Sequence, residues 1–77
     1  MNIDQARVMR TKGDISSAEI LPTPSKDGGW LMTILDISGK TYLMVDSQDR
    51  VITTSTVDEM LNLVRSIGLR VVSVRIG

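Results

Sequence analysis

The chain has 77 residues, with nine basic and nine acidic side chains that cancel and a sequence pI near 6.1. A chain of that length forms one domain and buries only about 60% of its unfolded surface, so pairing with a second copy is a natural source of added stability. The neutral balance argues against a general nucleic-acid binder, the lack of cysteine excludes disulfides and thiolate chemistry, and the lack of histidine removes the commonest metal ligand and general base.

An apolar fraction of 42% supports a real core, but with one Trp, one Tyr and no Phe that core must be filled by aliphatic residues and by five methionines. The opening residues are charged and contain no signal-peptide core, and no run approaches the roughly 18 apolar residues that span a bilayer. A cytoplasmic location without a membrane partner is expected.

In chain order, Asn2 or Asp4 can cap a short helix running to about Lys12, with Ile3, Ala6 and Met9 at helical spacing and Gly13 as the stop. A helix of about ten residues is marginal alone, so residues 1–13 read as a weakly attached element beside a core spanning 16–76. Residues 16–21 form a candidate strand, with Ala18 and Ile20 on one side and Ser17 and Glu19 on the other, and Pro22 and Pro24 end it. The segment 22–29 is a loop inside the domain, rich in turn-forming residues.

The stretch 28–45, GGWLMTILDISGKTYLMV, organises the rest. It reads as two strands around a two-residue Ser38-Gly39 turn, because apolar runs flank a glycine that can supply positive φ. Pairing Ile37 with Lys40 places Trp30, Met32, Ile34, Leu43 and Val45 on one face, the expected core. Leu31, Thr33, Leu35, Tyr42 and Met44 then share the other face.

Residues 51–54 have strong β-propensity and are expected to add an antiparallel strand to the meander. Thr56-Val57-Asp58-Glu59 matches a capping box, and Val57, Met60, Leu61, Val64 and Ile67 form the apolar stripe of a second helix ending at Gly68. Residues 69–76 form a last strand, with Val72, Val74 and Ile76 on one face. The expected fold is a single α+β domain, an antiparallel sheet with a helix packed on one face, in the order α-β-β-β-α-β.

No constellation for catalysis emerges. Hydroxyls at Ser25 and in residues 53–56 lack a base to activate them, and Lys26 lies in the loop. Asp36, Asp46 and Asp49 supply only a fragment of a hard-cation loop. Gly28-Gly29 precedes a strand, whereas phosphate-cradling glycines follow a strand and open a helix. No enzyme activity, cofactor, metal or small-molecule substrate is expected. Two binding surfaces remain. One is the face formed by Leu31, Leu35, Tyr42 and Met44, suited to a protein partner or a second copy. The other is a basic strip of Arg7, Arg10, Lys12, Arg70 and Arg75, suited to nucleic acid. The element order is similar to that of the double-stranded-RNA-binding domain, but Asp58 and Glu59 open the second helix where that family is basic.

Taken together, Asp4-Gln5-Ala6-Arg7, Gly29-Trp30, the segment 46–51 and the helix end Ile67-Gly68-Leu69 give most of the chain a pattern that resembles the small partition-associated (ParC-type) accessory proteins of plasmids and integrative elements. The resemblance implies a bacterial mobile-element protein that acts beside maintenance or segregation genes by binding rather than by catalysis. A small phage- or element-encoded inhibitor of a host defence system is the neighbouring expectation.

Overall fold

The central hairpin turns on Asp36. Its Oδ1 accepts the Ser38 N–H at 2.9 Å, the Ser38 hydroxyl at 2.7 Å and the Lys40 N–H at 2.8 Å, so one carboxylate satisfies the whole turn. Asp36 N–H donates to the Lys40 carbonyl and Gly39 adopts a φ of 93°, which closes a three-residue loop over Ile37, Ser38 and Gly39. The expected two-residue turn is thereby corrected. Leu35 pairs with Thr41, Ile34 with Tyr42 and Thr33 with Leu43. One extra loop residue exchanges the two faces of the second strand.

The computed structural model describes residues 1–24 and 28–75, so Ser25, Lys26 and Ile76 of the readings above lie outside the described residues. The elements are α1 (Ile3–Thr11), β1 (Ile15–Pro22), β2 (Trp30–Asp36), β3 (Thr41–Leu43), α2 (Val57–Ile67) and β4 (Val72–Val74), the α-β-β-β-α-β order read from the sequence. The sheet runs β3-β2-β1-β4; its first three strands are antiparallel, whereas β4 lies parallel to β1. It is therefore mixed rather than wholly antiparallel. The segment 51–54 does not form a strand. It makes isolated bridges, Val45 to Val51 and Trp30 to Thr54, and so carries the chain past the sheet corner into α2.

Both helices lie on one side of the sheet. Ala18 and Ile20 of β1, Met32 and Ile34 of β2, and Met44 meet Met60, Val64 and Ile67 of α2 and Ala6 of α1 in one buried cluster. Each fully buried Met or Ile contributes about 1.5–3 kcal/mol of hydrophobic stabilisation. α2 begins at Thr56, whose hydroxyl accepts the Glu59 N–H at 3.2 Å, and ends at Gly68 with a φ of 91°.

α1 is firmly docked, contrary to the loose attachment expected of it. Asn2 and Gln5 form a full capping box, Ala6 is wholly buried, and the Arg7 and Arg10 side chains donate Nε–H to the carbonyls of Ser66 and Gly68. These two bonds tie the side chains of α1 to the C-terminal end of α2, where the unpaired carbonyls favour a cation.

Candidate interaction surface

With both helices on one side, the other side of the sheet is open among the described residues. Cross-strand pairs place Leu21 beside Leu31, Glu19 beside Thr33, Ser17 beside Leu35, Thr33 beside Leu43 and Glu19 beside Ser73. Alternation along each strand puts these side chains on the face opposite the buried Ala18, Ile20, Met32 and Ile34. None of them is buried, and Leu43 remains 40% exposed. Four leucines thus share a surface with hydroxyls. A shallow depression of about 140 Å³ runs between Ser17, Glu19, Thr33, Leu35, Thr41 and Ser73.

Among the described residues, the charges paired across this face cancel. Arg75 Nη2 lies 3.6 Å from Glu19 Oε1, across the β1–β4 pair. An electrically balanced face of leucine and hydroxyl groups suits an uncharged protein surface better than a phosphate backbone.

Of the four residues first grouped on this face, only Leu31 and Leu35 belong to it. Met44 is fully buried in the core. Tyr42 points to the helix side, where its hydroxyl donates to Asp36 Oδ2 at 3.2 Å and Lys40 Nζ stands 5.1 Å from the ring centre. It also lines a groove of about 650 Å³ with Met1, Val8 and Met9 of the α1 side. Conversely, Leu43, assigned to the core from the sequence, is on the open face. Leu21 escaped notice altogether, although its place two residues after Glu19 and four after Ser17 puts it on the side those residues occupy.

The basic residues do not all share one side: Arg7 and Arg10 reach the end of α2, just before Arg70, while Arg75 is on the open sheet face. Arg7 and Arg10 direct Nε to the end of α2, and Arg7 also approaches Asp4 at 3.6 Å. Arg75 is held on the open sheet face by Glu19. Lys12 and Arg70 are exposed and take part in no ion pair among the described residues.

Of the carboxylates considered for a cation, Asp36 and Asp46 serve their own turns. Asp46 Oδ1 accepts the N–H groups of Gln48 and Arg50 at 2.8 and 3.0 Å, and its Oδ2 meets Arg50 Nε at 3.2 Å. The Arg50 and Gln48 N–H groups hold the Asp46 carboxyl below the usual carboxylate range. Among the described residues, no three acidic side chains gather into a metal-binding group, and no helix is long and apolar enough to cross a membrane.

Fold and surface define a small α+β domain: two helices on one side of a four-stranded mixed sheet, with the opposite side uncovered. No family model matches the chain, and comparison with curated proteins and with solved structures gives no match either.

Proposed function

We propose that the chain is a non-enzymatic protein-binding module whose open sheet face takes an uncharged, apolar surface of a protein partner. The observation that carries this reading is the face itself, on which, among the described residues, Leu21, Leu31, Leu35 and Leu43 accompany one compensated ion pair. Exposed apolar surface of this kind is costly to leave in water unless a partner uses it. The absence of histidine and cysteine, and the commitment of Asp36 and Asp46 to their own turns, support binding over catalysis. The resemblance to partition-associated proteins adds a setting, an accessory role in maintaining a bacterial mobile element from within the cytoplasm.

A nucleic-acid reading rests on Lys12 and Arg70, with Arg7 and Arg10 still charged beside the end of α2, while Arg75 is paired with Glu19. Affinity capture from the host, repeated with wild type, Leu35→Asp and Lys12→Ala/Arg70→Ala, separates the readings. A defined protein that binds wild type and the double alanine variant equally, is lost with Leu35→Asp, and stays bound as salt rises from about 50 to about 200 mM supports the proposal. Retention of nucleic acid that disappears over the same salt range and with the double alanine variant overturns it.

A further inference from the structure

The two edges of the sheet are finished differently. At the β3 edge, the Met1 amino group donates to the Leu43 carbonyl at 3.1 Å and the Val45 N–H donates to the Met1 carbonyl at 2.8 Å, so residue 1 occupies part of that edge. At the β4 edge, Ala18 N–H bonds the Val71 carbonyl and Arg75 N–H bonds the Ile20 carbonyl, which directs the main chain of residues 71, 73 and 75 toward β1. The N–H and C=O groups of Val72 and Val74 must then point outward, where they meet no main-chain partner among the described residues. The strand is only three residues long, which limits the open edge, but it carries no lysine, proline or bulge to block pairing.

We infer that β4 is the seam of a homodimer, in which two copies pair antiparallel about a two-fold axis at Ser73 and join their sheets into one of eight strands. A second copy fits this edge because the strand complements itself. With Ser73 opposite Ser73, each Val72 lies opposite the other copy's Val74 and exchanges both main-chain hydrogen bonds with it, four bonds in all. The same pairs set valine against valine on the helix side, where Val72 already packs on the core and Val74 is 41% exposed. Charge is compatible too. Arg75 comes opposite Val71, which is 61% exposed, instead of opposite another cation, and its guanidinium is already held by Glu19 of its own chain. The axis stands perpendicular to the joined sheet, so both leucine-bearing faces look the same way. The seam does not depend on what those faces bind.

The test uses the full chain. Light scattering gives twice the 8.5 kDa chain mass for wild type and the single mass for Val74→Lys, which places a charge against the other copy's Val72. Because Val74→Lys changes the edge itself, a second variant reads the register. The protein has no cysteine, so Ser73→Cys adds a unique thiol. Directly opposed residues of a non-hydrogen-bonded antiparallel pair stand about 4.5 Å apart at Cα, within disulfide reach. Mild oxidation therefore converts Ser73→Cys to a covalent dimer far faster than Ser47→Cys, a control on a distant exposed turn. A monomeric wild type up to its solubility limit overturns the inference and leaves the edge to a strand of another protein. A dimer whose Ser73→Cys form crosslinks no faster than the control also overturns it, by moving the seam elsewhere. Val74 is on the helix side, Ser73 borders the open face, and mass and crosslinking are read on the isolated chain without any partner, so failure here is distinct from failure of the partner-binding proposal.

Discussion

Arg10 donates its Nε–H to the carbonyl of Gly68 at 3.1 Å, across 58 positions of sequence. The contact joins the last turn of α1 to the left-handed residue that ends α2, and it confines both. At Gly68 the backbone φ of 91° resists any side chain, and an added Cβ would stand 2.8 Å from Arg10 Nε. Glycine is needed there for its conformation, and any added side chain must also push the Arg10 guanidinium aside.

Gly68→Ala is accordingly expected to destabilise the domain by about 1 kcal/mol from the left-handed backbone alone. Displacing Arg10 adds to that loss. In an Arg10→Ala background the clash is gone, so the same substitution costs less, and urea denaturation of the two single variants and the double variant measures the difference. Strict additivity would show that Arg10 does not confine this site.

The face exchange across β3 gives a second expectation. Met44→Ala removes a fully buried side chain and should cost about 2–5 kcal/mol, enough to unfold much of a small domain. Leu31→Asp, on the half-exposed open face of a central strand, should cost only about 1 kcal/mol of unfolding free energy. Comparable losses in the two variants would mean that the sheet is covered on both sides.

Much of this was legible in the sequence, and the limits have physical causes. The stripe of Met60, Val64 and Ile67, the stop at Gly68 and the alternation through Ala18 and Ile20 follow from periodicity, and all five apolar side chains are buried. The face of β3 was not legible because it depends on a single residue of loop length. That length is set by Asp36 reaching the N–H groups of Ser38 and Lys40, a choice among turns that apolar patterning does not report. The docking of α1 was hidden for a similar reason. Arg7 and Arg10 look like solvent charges until the fold brings the end of α2 beneath them. Of the open face, Leu31 and Leu35 were found, Leu21 follows from the same alternation as Ser17 and Glu19, and Leu43 needed the register.

Asp36 predicts a pH dependence. The Ser38 hydroxyl, opposed by the cost of desolvation and aided by the Lys40 and Ser38 N–H groups and the Tyr42 hydroxyl, holds its carboxyl below the ordinary carboxylate value. A carboxylate depressed in the folded state contributes stability that is fully present above the unfolded value of about 3.9 and is lost as pH falls through the folded value. Asp46, depressed by its own turn, acts in the same direction. Urea midpoints measured from about pH 7 to about pH 2 should fall in the acid range, and Asp36→Asn should flatten the fall while lowering the neutral plateau. An unchanged acid slope in Asp36→Asn would assign the acid sensitivity to other carboxylates.

The two helix starts differ in a way that substitution can read. At α1 the box is reciprocal: Asn2 Oδ1 accepts the Gln5 N–H at 2.8 Å and Gln5 Oε1 accepts the Asn2 N–H at 2.9 Å. At α2 only the Thr56 half of the expected box is made. Thr56→Ala should cost about 1 kcal/mol, while Glu59→Ala, which leaves the Thr56 bond intact and loses only a charge near the positive helix end, should cost about 0.5 kcal/mol. At α1, Gln5→Ala breaks a bond that is present, so its cost should exceed the helix-propensity change alone. Thermal denaturation of the three variants orders the costs. A loss for Glu59→Ala as large as that for Thr56→Ala would show that the second box closes in solution, with the Glu59 side chain turned back onto the Thr56 N–H.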